Sequence, residues 1–251
     1  MRVFNRLSEW SEARADFAGC SVGFVPTMGA LHEGHRSLLE RARAENDRVV
    51  ASIFVNPTQF DDTKDLERYP RTPEADLALI SDLADAVLVP AQGEIYADAF
   101  RYRVTECELS PRMEGAHRPG HFDGVMTIVL KLLNIVAPTR AYFGEKDWQQ
   151  LELVRGMVQA LFVPVEIVPC PTVRAPDGLA LSSRNERLSP AARSRAALFP
   201  GKLRESPTAS AAADALRKAG FKVDYVQDVN GVRLGAVRLE NVRLIDNVRL
   251  P

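Results

Sequence analysis

Val22-Gly23-Phe24-Val25-Pro26-Thr27-Met28-Gly29-Ala30-Leu31-His32-Glu33-Gly34-His35 passes from a short apolar run through a glycine turn into the helix-like stretch 36–45. An apolar run of that length reads as a buried strand, so the segment predicts strand, tight turn and helix N-terminus in succession, a ready anion site. Further short apolar runs at 49–55, 86–89, 141–143 and 164–168 read the same way. The stretches 73–83, 124–136 and 149–162 between them carry apolar residues at helical spacing, as in Val125, Ile128, Val129, Leu132, Leu133 and Val136. Buried strands alternating with amphipathic helices predict a parallel α/β sheet.

The character changes after residue 185. Alanine-rich stretches at 189–203 and 209–219 predict helices, the second stopped by Gly220. Residues 221–227 read as a strand, and Asn230-Gly231 as a tight turn. Val-Arg-Leu recurs at Val232, Val237, Val242 and Val248, and this alternation of apolar and basic residues predicts half-exposed strands. The expected organisation is a parallel α/β domain over residues 1–175 and a small α+β domain over 176–251.

Composition narrows the partners. The 33 acidic and 32 basic residues nearly cancel, which argues against nucleic acid or an anionic membrane surface and for small ligands. No segment reaches the roughly 20 apolar residues of a membrane span, and residues 1–6 have no signal-peptide core. Cys20, Cys107 and Cys170 have neither metal nor redox spacing, so they are read as buried thiols of a cytoplasmic protein.

All four histidines fall in two motifs, the one above and His117-Arg118-Pro119-Gly120-His121. His32 and His35, three apart at a helix start, share a face on which both can meet one phosphate chain. The alternative makes one a helix cap and the other a surface group, and zinc is disfavoured for want of a third ligand at suitable spacing. Asn56-Pro57-Thr58-Gln59-Phe60 ends a predicted strand, where open α/β sheets gather ligands, or is an ordinary polar turn. Its amides both donate and accept, which suits a hydroxy acid. Asp61-Asp62 reads as surface.

Two further clusters carry the same ambiguity. In Phe143-Gly144-Glu145-Lys146-Asp147-Trp148-Gln149-Gln150, Gly144 permits close approach, Lys146 offers a point charge for phosphate and Gln150 can address a carboxylate or hydroxyl; Lys146 and Asp147 can equally form a surface pair. In Asp177-Gly178-Leu179-Ala180-Leu181-Ser182-Ser183-Arg184-Asn185, two hydroxyls and a guanidinium can fold over a triphosphate, or the segment is a helix cap.

Taken in order, residues 26–35, Phe54-Val55-Asn56-Pro57-Thr58-Gln59-Phe60, Pro119-Gly120-His121-Phe122-Asp123-Gly124-Val125, residues 143–147 and Leu181-Ser182-Ser183-Arg184-Asn185 closely resemble the pantoate–β-alanine ligase family. The resemblance implies a Rossmann-like nucleotidyltransferase fold, the first domain holding ATP and pantoate, and a two-step reaction: ATP and (R)-pantoate give pantoyl adenylate and pyrophosphate, then β-alanine displaces AMP to give pantothenate, a coenzyme A precursor. Residue by residue, it implies that Met28, Gly29, Ala30, Leu31, His32, Glu33, Gly34 and His35 hold ATP, with His32 and His35 on the phosphates and His35 as acid. Gly144, Glu145, Lys146, Asp147, Val173, Leu181, Ser182, Ser183 and Arg184 would complete the nucleotide site, Lys146 and Arg184 as catalytic cations. Gln59 and Gln150 would grip pantoate, with Gln59 also bordering β-alanine. His121 and Arg118 would line the β-alanine or phosphate side, and His117 lies outside the pattern.

The resemblance further implies Mg2+ with the ATP, with Asp76 the nearest protein candidate for a ligand, and a homodimer. One departure is expected: the part after Asp224-Tyr225-Val226 is short for the family as a whole, which puts closure in question. A related adenylyltransferase for another acid and a nucleotide sensor without activity remain the rival readings.

Overall fold

The structure, a computed structural model, describes residues 1–250. It divides into two compact units, one formed by Met1–Gly144 with Gln149–Cys170, the other by Glu145–Trp148 with Pro171–Pro251.

The first unit is built on six strands, β1 (Arg2–Phe4), β2 (Val22–Thr27), β3 (Arg48–Ile53), β4 (Ala86–Leu88), β5 (Arg140–Gly144) and β6 (Glu166–Cys170), in the order β1-β4-β3-β2-β5-β6. Every pairing is parallel. Its helices are α1 (Leu7–Ala13), α2 (Glu33–Glu45), α3 (Thr63–Glu67), α4 (Pro73–Ile80), α5 (Gln92–Ile95), α6 (Glu114–His117), α7 (His121–Val136) and α8 (Trp148–Ala160), whose first residue belongs to the second unit.

Strand pleating sorts the core into two layers. Val22 and Phe24 of β2, Val50 of β3 and Ala141 and Phe143 of β5 pack with Trp10 of α1, the apolar stripe of α7 and Leu151 to Val158 of α8. Val25, Val49, Ala51 and Tyr142 face the other way, onto Leu39 and Ala42 of α2 and Ile80 of α4. Helices cover both faces, so the strands read as continuous apolar runs. From β2 the chain builds outward on one side through β3 and β4, then on the other through β5 and β6. The sheet order reverses between β2 and β5, the position where such sheets bind ligands at their carboxyl edge.

The second unit packs α9 (Pro190–Ala196), α10 (Leu198–Glu205) and α11 (Ala209–Lys218) on an antiparallel sheet of β7 (Lys222–Val229), β8 (Val232–Leu239) and β9 (Val242–Arg249). Gly220 ends α11 with φ +86°, and Asn230-Gly231, both left-handed, join β7 to β8.

Three expectations need correction. The stretch 189–203 forms two helices, because Pro200 has no N–H to continue a single one. β8 is buried at every residue except Arg238, being the central strand of its sheet; β9 alone alternates as expected. Arg233, 1% exposed, turns inward to pair with both oxygens of Asp228 and to donate to the carbonyls of Leu203 and Ser206 at the end of α10. Of the thiols only Cys170 is buried; Cys20 is half-buried and Cys107 exposed. No helix among the described residues is long and apolar enough to cross a membrane.

Candidate active site

Past the end of β2, the turn reaches α2 through left-handed Gly29 (φ +80°) and Ala30 (φ +50°). Glycine is required at 29 twice over, by its φ and because a Cβ would stand 2.9 Å from Asp76 Oδ2 and 3.1 Å from Ile53 Cγ2. Ala30 cannot escape its strain so cheaply, and the nearby carboxylate offsets it. Asp76, 2% exposed on α4, accepts the N–H groups of Ala30 at 2.9 Å and Leu31 at 2.8 Å, and the Thr72 hydroxyl at 3.0 Å. Both carboxylate oxygens therefore clamp the loop. Among the described residues no group of three or more His, Cys, Asp or Glu side chains is arranged to hold a metal ion. The structure thus gives Asp76 a loop-holding task.

His32 is the N-cap of α2, so the capping alternative holds for that residue. Its Nδ1 accepts from the Gly34 N–H at 3.1 Å, and His35 Nδ1 accepts from the His32 N–H at 3.3 Å. The rings lie 4.2 Å apart between centroids. Because both Nδ1 atoms accept, each neutral imidazole carries its proton on Nε2. The reciprocal cap thereby sets two half-buried rings as Nε2 donors at a helix start.

Gln59 follows β3, within the turn Pro57–Gln59. Its Nε2 lies 3.1 Å from Met28 Sδ, which brings the first two motifs together. Asn56 Nδ2 donates to Gln59 Oε1 at 2.9 Å, and Asn56 Oδ1 in turn accepts from the hydroxyls of Thr58 at 2.9 Å and Tyr96 at 2.7 Å. This buried chain fixes which end of each amide donates. Burial raises the Tyr96 phenol above its usual value, against the opposing pull of the Thr58 hydrogen bond.

Behind the chain, His121 Nδ1 donates to the Gln59 carbonyl at 2.8 Å and Arg118 Nη2 does so at 3.2 Å, while His121 Nε2 accepts from Arg118 Nη1 at 3.1 Å. His121 therefore holds the tautomer opposite to that of His32 and His35, and these two residues buttress Gln59. Arg118 also pairs with Asp61. Gly124 is pressed against this turn: a Cβ there would lie 2.3 Å from the Thr58 carbonyl oxygen.

Gln150 sits half-buried in the first turn of α8. Its neighbour Gln149, 3% exposed, was passed over by sequence reasoning. It accepts from the Glu114 N–H at 3.0 Å and donates to the carbonyls of Leu109 and Arg112, both at 2.8 Å, tying down the loop that leads to Arg118 and His121. Adjacent glutamines at a helix start differ only in the face they occupy, which sequence shows poorly.

In the second unit, Glu145–Asp147 form a single 3-10 turn, with Lys146 Nζ 3.8 Å from Asp147 Oδ1. The Val173 carbonyl accepts from the Leu181 N–H at 3.0 Å, and an antiparallel bridge joins Arg174 to Ala180. Ser182 caps the turn Ser183–Arg187 by accepting from the Arg184 N–H at 3.3 Å, and Asn185 Nδ2 donates to the Ala180 carbonyl at 2.9 Å. The capping reading holds for Ser182, and Leu181, Ser182, Ser183 and Arg184 stay half-buried on an ordered turn.

The chain as a whole matches one group of proteins. The sequence model described as pantoate-beta-alanine ligase matches residues 2–249. A pantothenate synthetase from Bdellovibrio bacteriovorus is 54% identical over 99% of each chain. The crystal structure of pantothenate synthetase from Thermus thermophilus superposes with a TM-score of 0.92 at 45% identity over 100% of each chain. That of the Francisella tularensis pantoate-beta-alanine ligase, complexed with beta-gamma ATP and beta-alanine, gives 0.94 at 38% identity, covering 99% of this chain and 97% of the other. This chain covers at least 97% of the length of each of these three proteins. The chain belongs to the pantoate–β-alanine ligase family.

Proposed function

We propose that this chain condenses (R)-pantoate with β-alanine in an ATP-dependent reaction through a bound pantoyl adenylate, forming pantothenate, AMP and pyrophosphate. In the first step a pantoate carboxylate oxygen bonds to the α-phosphorus as the bond to the β-phosphate oxygen breaks. In the second the β-alanine amine bonds to the acyl carbon, the acyl–oxygen bond breaks and AMP leaves. The observation that most supports this reading is the reciprocal His32–His35 cap, which sets two imidazole Nε2 donors beside the reversal point of a parallel sheet. Charge growing on the departing pyrophosphate is what such preset donors offset, and His35 supplies the acid.

Residues 28–35 then hold the nucleotide, with Gly144 letting it approach closely; a Cβ on Gly144 would have no protein atom within 4 Å, so packing does not demand glycine there. Lys146 and Arg184 balance phosphate charge, while Glu145, Asp147, Val173, Leu181, Ser182 and Ser183 line the nucleotide. Gln59 and Gln150 bind pantoate, and Gln59 borders β-alanine. The neutral Asn56-fixed amide of Gln59 favours a hydroxy acid over a phosphate ester. ATP enters as its Mg2+ complex, the ion held by the nucleotide's own phosphates and water, as suits a cation that dehydrates reluctantly. The same reading makes the protein a cytoplasmic homodimer, which light scattering and fractionation check.

A coupled assay for AMP with each substrate withheld in turn tests the proposal. AMP should appear only with ATP, pantoate and β-alanine together. Pyrophosphate release indifferent to pantoate, or exchange driven better by another acid, would sink it.

A further inference from the structure

Two neighbouring residues of β9 reach the two segments of the second unit that carry Lys146 and Arg184. Asp246, 3% exposed, accepts from Arg174 through both oxygens, at 2.7 and 2.9 Å. Arg174 also donates to the carbonyls of Gly178 at 3.0 Å and Asn247 at 3.2 Å, so its guanidinium is held on three sides. It directly follows Val173 and bridges Ala180, so fixing it fixes the run that continues through Leu181 to Ser182 and Arg184. Asn247 reaches the other segment: its Nδ2 donates to the carbonyls of Glu145 at 2.8 Å and Lys146 at 2.9 Å. Arg249, two residues on, pairs with the Glu145 carboxylate at 2.8 Å.

We propose that Asp246 and Asn247 are positioning residues that set the spacing between Lys146 and Arg184 for the ATP phosphates. The proposal rests on the reading of Lys146 as a phosphate-binding cation. A single 3-10 turn has little stiffness of its own, and without Asn247 the carbonyls of Glu145 and Lys146 lose their shared donor. The turn is then free to shift, and displacement of a charge-stabilising group by about 1 Å is enough to slow chemistry by roughly 100-fold. Lys146 faces pyrophosphate, which has left before β-alanine reacts. The tether therefore serves the first half-reaction and not the second, a division that a purely structural strand residue would not produce.

The test compares Asn247→Ala, the isosteric Asn247→Asp, which removes both amide donors, and Lys146→Ala in the full-length protein. Pantoate-dependent ATP–pyrophosphate exchange is measured beside pantothenate formation from supplied pantoyl adenylate and β-alanine, with melting temperature recorded for each. Both Asn247 variants should lose about 10- to 100-fold in exchange while keeping the second half-reaction within about twofold. Exchange left intact in the Asn247 variants but impaired in Lys146→Ala would overturn the tether. Equal loss of both half-reactions together with a lowered melting temperature would also overturn it, as a structural effect alone. Normal exchange in Lys146→Ala would instead overturn the role given to Lys146.

Discussion

The Tyr96 hydroxyl donates to Asn56 Oδ1 across 2.7 Å, and together with the Thr58 hydroxyl it orients the Asn56 amide that donates to Gln59. The phenol is protonated and able to donate at neutral pH, and burial raises its pKa further. Tyr96→Phe leaves the ring against Phe54 and Phe100 but removes the donor. Loss of one buried hydrogen bond costs about 1–2 kcal/mol. Steady-state kinetics should show KM for pantoate raised about tenfold and KM for ATP unchanged; an equal rise in both would show that Tyr96 does not act through Gln59.

The histidine pair separates stability from catalysis. His32→Ala removes a helix cap and should cost about 1 kcal/mol of stability as well as activity. His35→Ala should reduce turnover by about 100-fold or more, the loss typical of one transition-state donor. Denaturant unfolding and single-turnover AMP formation measure the two effects, and near-normal turnover in His35→Ala would remove this residue from the chemistry.

Asp76 offers a clear distinction between loop clamp and metal ligand. Asp76→Ala strips the acceptor from two amide groups, each worth about 1–3 kcal/mol when left buried and unpaired. The variant should melt well below the parent and bind ATP weakly. The Mg2+ concentration for half-maximal rate should still follow the ATP concentration in both proteins. A variant of normal stability with a selectively raised Mg2+ requirement would return Asp76 to the metal.

Acid stability should report on Asp98. Its carboxyl is lowered from 3.8 to about 2, first by the Tyr102 backbone N–H and then by Lys131. A group lowered on folding binds fewer protons in the folded state, so its contribution is complete above pH 3.8 and is lost as pH falls toward 2. Melting curves between about pH 5 and pH 2 should fall less steeply for Asp98→Asn than for the parent. Identical slopes would mean that the pairing does not persist in solution.

What the sequence discloses follows from how locally each feature is encoded. β2, β3 and β5 are buried on both faces, so each is a mostly apolar run; β1, with three residues, is too short to show any period. Gly29, His32 and His35 are legible because a turn and a helix start compress them into one motif. Their supports are not. Asp76 lies 46 positions from Ala30, Gln149 35 from Glu114, and Asn247 102 from Glu145, and none of the three belongs to a recurring local pattern. The Val-Arg-Leu repeat misleads for the opposite reason: its regular alternation is genuine, but burial of the central strand turns one arginine inward.

The excursion of Glu145–Trp148 out of the first unit has a consequence for synthesis of the chain. All six strands of the parallel sheet have been made by Cys170, whereas the donors to the Glu145 and Lys146 carbonyls come only with Asn247. A growing polypeptide can therefore complete its larger sheet while the lysine turn still waits for its anchor. Ribosome-bound chains halted after residue 170 has cleared the exit tunnel but before residue 247 is made should already protect the sheet from protease and leave residues 145–148 open to cleavage.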